Sequence, residues 1–478
     1  MSQRPNILFL MSDQHSPHVL GCAGNPVIHT PSLDRLAAEG MFFEQTYCQN
    51  PLCAPSRASV LTGRYSKDIG IYDNMHVLES NSLTFPRVLS KAGYRTCLIG
   101  KSHLNGEQFQ GYQERPYGDL YGQAHQPDPR RLPEFGINGL GDVVGNHGAS
   151  EIPDPLTQTE ICVAEACKWM QLHTAQHSEQ PFLLSVHFDK PHFPIRPPKR
   201  FQEKYEGKVS LPETPDGYID GAVPFIREAI ANNETGHHYG KDFDLQLGAL
   251  ESYYGCVEWV DDAVGRIVEV LDYLGLKENT LVIYTSDHGE MGGEKGTWQK
   301  TLFFDASARV PFIMRWPERI KPGSRSGEIA GLIDCFPTIC EAAGIDIPDT
   351  CGGVSLFPAM DGGELDREGI FSESAVLRKT EVAGCMYRTG PWKYCWYLDE
   401  SEELYNLEED PEEWANRAAD PECQDVVEKL RQKAIAFWEP DNYLERLRRT
   451  PIMSGEKHFY EFSNQFVTGT GAIIDGRP

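Results

Sequence analysis

The sequence predicts an α/β protein, a mostly parallel sheet sandwiched by helices, followed by a smaller α+β region. Three observations carry that prediction. Short apolar runs alternate with helical patterns from Asn6 to Ala343, the texture of strands joined by crossover helices. Several of those runs show no alternation, as strands buried on both faces do. After Gly362 and Gly363 the texture changes to closely spaced strand patterns. The expected division is an α/β domain over 1–365 and a C-terminal subdomain over 366–478, made of antiparallel strands, a helix and a tail.

Taken in order, Asn6 to Met11 is an apolar run ending in Ser12-Asp13-Gln14, a buried strand with a carboxylate at its C-terminal end. Pro31 to Glu39 is a short helix opened by proline. Met41 to Tyr47 is strand-like and leads into a loop carrying Cys53. Leu83 to Lys91 is helical, and Arg95 to Ile99 is a strand that runs into Gly100-Lys101-Ser102-His103. From Asn105 to Pro155 the chain is rich in Gly, Pro, Tyr and His and reads as a long functional loop. Thr157 to Ala175 is helical. Phe182 to Phe188 is a strand followed by Asp189-Lys190-Pro191-His192. Leu245 to Leu274 repeats apolar residues at helical spacing, Val257, Val260, Val264, Ile267 and Leu271 among them. Thr280 to Tyr284 is a strand running into Thr285-Ser286-Asp287-His288, Val310 to Trp316 is another, and Leu332 to Ala343 is a helix. Glu381–Arg388, Pro391–Tyr397 and Glu403–Leu407 read as an antiparallel meander, and Cys423 to Trp438 as a helix.

Composition narrows the function classes. With 44 basic and 70 acidic residues the formal charge is −26, so the average surface repels nucleic acid, anionic membranes and long sulfated polymers. No run approaches the roughly 20 apolar residues that span a bilayer. Thirteen cysteines without a C-x-x-C pair fit a reducing compartment better than a disulfide framework. The N-terminus has no apolar core of signal-peptide length. A cytoplasmic protein is expected.

The chemistry gathers in two places. Cys53-Ala54-Pro55-Ser56-Arg57, followed by Leu61-Thr62-Gly63-Arg64, reads as a turn entering a short helix that stops at Gly63. Cys53 is expected just before the helix N-terminus, where free N–H groups favour an anion. Arg57 adds a planar fork suited to tetrahedral oxyanions. On chemistry alone an inert buried cysteine is an equal alternative. The second place is the ends of strands. Asp13, Lys101, His192, Asp287 and His288 each follow a strand, and in open α/β sheets the ligand crevice lies there. Asp13, Gln14, Asp287 and His288 form an oxygen-rich set with one imidazole, suited to a hard or borderline divalent ion.

The motif from Cys53 to Arg64 resembles that of the type I, formylglycine-dependent sulfatases of the alkaline phosphatase-like superfamily. N-I-L-F-L-M-S-D-Q ending at Gln14 and S-D-H-G-E from Ser286 resemble that family's two metal motifs. Gln14 stands where Asp is frequent, and His288 where Asn is frequent. These forms resemble the choline-sulfatase and phosphonate monoester hydrolase branches. The resemblance implies that Cys53 is oxidised to formylglycine by a formylglycine-generating enzyme. It further implies one ion on Asp13, Gln14, residue 53, Asp287 and His288, with calcium as the family default and manganese or magnesium as alternatives. Lys101 and His103 resemble the pair beside the nucleophile, His192 the leaving-group histidine, and Lys300 the second lysine of the site. The implied reaction is attack on a sulfate ester by the hydrated aldehyde, protonation of the alcohol by His192 aided by Lys300, and release of sulfate when His103 takes the second hydroxyl's proton.

The expected substrate is a small sulfate ester, with Tyr72, Asn74 and Trp298 as candidate pocket residues. Two rival classes stand beside it, a phosphonate monoester or phosphodiester hydrolase on the same scaffold and a non-catalytic sulfate-ester binder with Cys53 unconverted. The last thirty residues are expected as an arm over the site or a homo-oligomer contact.

Overall fold

The computed structural model describes residues 4–74, 76, 78–103, 109–118, 144–145, 147–231, 242–375, 383–449, 465–467 and 473–475. Its first strand, β1 (Asn6–Asp13), is buried at every position. Ile7, Phe9 and Met11 enter one apolar cluster, Leu8 and Leu10 another. A strand covered on both faces has no solvated side to keep polar, which explains its unbroken apolar run.

The other strands of this sheet are β2 (Met41–Tyr47), β3 (Arg95–Gly100), β4 (Glu114–Tyr117), β5 (Phe182–Pro191), β6 (Thr280–Ser286), β7 (Arg309–Val310), β8 (Phe312–Arg315) and β9 (Ser324–Gly331). Among the described residues the order is β4-β3-β5-β1-β6-β8-β2-β7, with β9 also paired to β2. From β4 to β6 neighbours are parallel. β8 is antiparallel to β6 and β2, so β2 points the same way as the parallel block. The carboxyl ends of β3, β5, β1 and β6 therefore form one continuous edge.

Two departures from the sequence reading have local causes. Val310–Trp316 is split into β7 and β8 at Pro311, which has no N–H for the ladder. β9 reads SRSGEIAG and is only partly buried. It carries no apolar run to announce it and is held as a strand by its register against β2.

Helices cover both faces. α1 (Pro31–Ala38), α2 (Cys53–Thr62), α3 (Phe85–Lys91), α4 (Gln158–Gln176), α5 (Phe243–Tyr273) and α6 (Cys335–Ala342) follow the apolar periodicity. Ala58 and Val60 of α2, Leu89 of α3 and Ile339 of α6 pack on one face. Leu33 of α1, Met170 of α4 and Val264 and Ile267 of α5 pack on the other. α2 stops at Gly63, whose φ of 64° is the left-handed conformation that glycine adopts without strain.

A separate antiparallel sheet follows in chain order, β10 (Ile370–Ser374), β11 (Gly384–Thr389), β12 (Trp392–Tyr397) and β13 (Glu402–Asn406). α7 (Gln424–Trp438) packs Val427, Leu430 and Ala434 against its Tyr394 and Trp396. β10 precedes the expected meander and, like β4 and β9, was not expected as a strand. No helix among the described residues is long and apolar enough to cross a membrane. Most of the expected loop over 105–155, and of the expected arm over 450–478, lies outside the described residues.

Candidate active site

Four strand ends meet α2 at the carboxyl edge. Asp13 closes β1, and its carbonyl accepts a 3.0 Å hydrogen bond from His192 N, just beyond β5. Lys101 follows β3, its N–H bonded to His187 O at 3.0 Å. Asp287 and His288 follow β6. Gln14 turns the chain away from β1 with a φ of 67°, and its N–H donates to Asp287 Oδ1 at 3.1 Å. Cys53 is the first residue of α2, not the residue before it, and is fully buried. Its Sγ lies 3.1 Å from His288 Nε2 and 3.8 Å from Asp13 Oδ1.

Arg57 has partners that the sequence reading did not name. Its Nε donates to Asp287 Oδ2 at 2.7 Å, one terminal nitrogen to Asp13 Oδ2 at 2.9 Å and the other to Lys101 O at 2.9 Å. A fork engaged on three sides by protein oxygens holds the two carboxylates in place. Lys101 Nζ makes a second ion pair with Asp13 Oδ2, at 2.8 Å. Burial alone would raise the Asp13 carboxyl, but Lys101, His192, Arg57 and His288 outweigh it and hold it well below the usual carboxylate range. Asp287 goes the other way, to about 6, because burial and the nearby Asp13 prevail over Arg57. Burial and Asp13 likewise push up the Cys53 thiol, yet Lys300, Lys101 and a hydrogen bond with His103 bring it down to about 7.

The residues fit a divalent ion. Ligand atoms of Asp13, Cys53, Asp287 and His288 all lie within 4.8 Å of one another. His288 Nδ1 faces Gly289 O at 2.9 Å. A carbonyl only accepts, so the proton sits on Nδ1 and Nε2 carries a lone pair. That lone pair is 3.6 Å from Asp287 Oδ1 and 4.0 Å from Asp13 Oδ1. An unprotonated imidazole nitrogen facing two carboxylates and the Cys53 sulfur is a donor set that a cation satisfies.

His192 is fixed in the same way, Nδ1 donating to Phe193 O at 2.8 Å and Nε2 facing Asp13 Oδ1 at 3.9 Å. Lys300, buried, bonds Gln14 Oε1 and lies 5.2 Å over the Phe193 ring. Asn74 Oδ1 accepts from Ala54 N at 3.0 Å and so caps the first turn of α2. Tyr72 and Trp298 are both buried in apolar clusters. Tyr72 packs against His76 and Tyr443 in the cluster under β11 and β12. Trp298 is fully buried beside Tyr253 and Val257, its Nε1 bonded to Gln246 Oε1 at 2.9 Å. Sequence reasoning missed Ser56, whose hydroxyl donates to Asp287 O at 2.5 Å, and Glu290, which holds the Gln14 amide. Both stood inside quoted motifs, but only their neighbours carried an obvious chemical role.

Comparison with known proteins agrees with this geometry. A family model described as Sulfatase matches residues 5–345, and one described as N-sulphoglucosamine sulphohydrolase, C-terminal, matches residues 293–438. A choline-sulfatase of Rhizobium meliloti (strain 1021) is 30% identical over 456 residues, covering 92% of this chain and 88% of its own. A structure solved with its substrate D-glucosamine-2-N,6-O-disulfate superposes with a TM-score of 0.76 at 24% identity, over 94% of this chain and 100% of that one. The phosphonate monoester hydrolase of Agrobacterium radiobacter gives 0.75 at 23% identity, over 99% and 100%. The chain therefore belongs to the sulfatase family, as a type I sulfatase of the alkaline phosphatase-like superfamily and a sulfuric ester hydrolase.

Proposed function

We propose that the chain cleaves a small organic sulfate monoester to an alcohol and inorganic sulfate, with residue 53 as formylglycine and one divalent ion beside it. The observation that carries this reading is the setting of Cys53. It opens a helix, faces the Nε2 lone pair of His288 at 3.1 Å, and has Lys101, Lys300 and His103 around it. An ion in that donor set supplies positive charge to an anionic ester, and formylglycine supplies, as its hydrate, the attacking hydroxyl. The family default makes calcium the first choice, with manganese or magnesium as alternatives.

The chain's own residues do the rest. Lys101 and Lys300 neutralise the non-bridging oxygens as charge builds on them. His192 protonates the leaving oxygen. In the free protein burial, Lys300 and Lys101 hold its imidazole well below the usual histidine value, so it is neutral. An anionic ester beside the two lysines offsets their repulsion, so that His192 takes up a proton from solvent as the ester binds and passes it to the leaving oxygen. His103 takes the proton at residue 53. Of the three residues expected to line the substrate, Asn74 is held next to residue 53 through Ala54, and the substrate-facing role is assigned to it.

A small substrate is supported by the formal charge of −26 and by the choline-sulfatase relative. All thirteen cysteines are free thiols, which supports a reducing, cytoplasmic setting. Conversion of Cys53 then calls for a formylglycine-generating enzyme as partner. The experiment is a side-by-side assay on one preparation in which mass spectrometry finds a hydrazide-reactive aldehyde at residue 53. Aryl and small alkyl sulfates should show higher kcat/KM than matching phosphonate monoesters or phosphodiesters, and polysulfated oligosaccharides should be poor substrates. Faster phosphonate or diester turnover would replace the sulfate reading with the hydrolase one, whose branch the Gln14 and His288 forms resemble as they do the choline sulfatases. Full activity with an unmodified thiol would overturn the formylglycine mechanism.

A further inference from the structure

Gln14 is held from every side. Its N–H donates to Asp287 Oδ1, and its carbonyl accepts from the Tyr253 hydroxyl at 2.6 Å. Its side-chain Nε2 donates to Glu290 Oε2, and its Oε1 accepts from Lys300 Nζ. Glu290 is buried and is itself anchored, because its Oε1 accepts from Gly292 N at 2.8 Å and Gln299 N at 2.5 Å.

A carboxylate presents two equivalent oxygens, but an amide has two unlike ends. Turned over, Gln14 would offer an NH2 group where an oxygen is needed, towards Lys300 and the ion. A carboxylate can only accept and an ammonium can only donate, so Glu290 and Lys300 demand the same orientation from opposite ends. Lys300 is also assigned to the substrate, whereas Glu290 has no such second role. From this we propose that Glu290 is a positioning residue of the metal site, which fixes the Gln14 amide so that its oxygen faces the ion. The inference rests on the reading that Gln14 is one of the ion's ligands. It extends the site one shell beyond the residues that touch ion or ester.

Calorimetric titration of chelator-stripped protein with calcium chloride tests it. In E290Q the new amide keeps its oxygen on the Gly292 and Gln299 N–H groups and turns its NH2 group on Gln14. The Gln14 amide must then flip, and calcium affinity should fall about tenfold or more. Exchanging the two side chains, Q14E with E290Q, rebuilds the same hydrogen bond in reverse and keeps an oxygen towards Lys300. Affinity should return to within about threefold of the parent. If Glu290 only tied the 290–299 loop, both variants would lose melting temperature alike and the folded protein would bind calcium normally.

E290Q with unchanged affinity, or an exchanged pair no better than E290Q, overturns the proposal. Titrating Q14M alongside separates its two layers. Unchanged affinity in Q14M overturns the reading of Gln14 as a ligand. A weakened Q14M beside an unweakened E290Q overturns the role of Glu290 alone. Should E290Q fail to fold, the exchanged pair decides, restored calcium binding sustaining the proposal and lost binding overturning it.

Discussion

Two clusters of buried charge invite comparison, one at the carboxyl edge of the large sheet and one where that sheet's chain meets the small sheet. In the second, Lys393 of β12 bonds Asp305, Glu413 Oε1 at 2.6 Å and Phe303 O at 3.0 Å. Asp305 also accepts from the Tyr47 hydroxyl at 3.0 Å and pairs with Arg309 at 3.3 Å, while its N–H donates to Glu413 Oε2 at 2.7 Å. Every charge there closes on another. In the first cluster Asp13 Oδ2 is taken by Arg57 and Lys101, but Oδ1 faces Cys53, His192 and His288 only at 3.8, 3.9 and 4.0 Å. Burial of charge is common to both and marks neither as an active site. What differs is closure. A structural cluster is complete in itself, whereas a chemical one keeps donor atoms for something that is not protein.

The largest effects should come from breaking each cluster at its centre, and they should fall on different observables. Asp287→Ala removes a carboxylate that faces His288 Nε2 and carries Arg57. It should abolish metal binding and lower kcat/KM on an aryl sulfate by about 10³-fold or more, with circular dichroism unchanged. Full turnover in metal-free Asp287→Ala would contradict the site. Lys393→Met strands two buried carboxylates, which costs about 3–5 kcal/mol of stability. Urea unfolding should report that loss, while turnover per folded molecule stays near the parent's. A variant that lost activity before it lost stability would erase the distinction between the clusters.

The acid limb of stability sharpens the contrast. Burial would raise the Asp305 carboxyl, but Lys393 and Arg309 outweigh it and depress it below its ordinary 3.8. A depressed carboxylate contributes stability that is present above its unfolded value and is lost as pH falls through the folded one. Lys393 is raised above its ordinary 10.5 by Asp305 and Glu413 against the opposing effect of burial. Its contribution is full below 10.5 and is lost as pH rises through the folded value. Without Lys393 the two buried carboxylates take protons more readily, so the stability gap between parent and Lys393→Met should be widest near pH 9 and narrow as pH falls. Below pH 4 it should narrow by up to about 1.4 kcal/mol per pH unit. Urea midpoints measured across that range check it, and a gap that widened in acid would refute it.

How much of this was legible in the sequence follows from the same contrast. β1, β5 and β6 were readable because burial on both faces leaves unbroken apolar runs, and Asp13, His192 and Asp287 were readable because they interrupt those runs at their ends. β9 was not, since its only cause is its register against β2. Nor was the engagement of Arg57, which depends on Asp13 and Asp287 being brought together from positions 274 residues apart, as the two ion pairs show. The Asp305–Lys393–Glu413 cluster left no trace at all. Three ordinary charged residues in three segments look like solvated surface until the fold closes over them.

A third buried carboxylate tests whether an open donor atom is enough to mark a site. Glu373 of β10 is fully buried; one oxygen accepts from Lys67 N at 2.8 Å, and the other has no hydrogen-bond partner among the described residues. It is open like Asp13 but lacks the cations packed around Asp13. Burial pushes its carboxyl up from 4.5 to about 8, against Lys67. Such a group solves its problem by keeping a proton. The sign of the linkage follows. Between pH 4.5 and 8 the folded state holds a proton that the unfolded state has released, so stability falls as pH rises through that window. Glu373→Gln supplies a permanently neutral group of the same shape and removes that fall. Its new NH2 group must find an acceptor near the buried Tyr443 hydroxyl, which sets an offset. Relative to the parent the variant should gain about 3 kcal/mol of stability between pH 5 and pH 8, from whatever offset the new NH2 group sets equally at both. Turnover should be unchanged. Calorimetric melting at the two pH values is the measurement, and a variant that lost activity at unchanged stability would move Glu373 from the structural class into the chemical one.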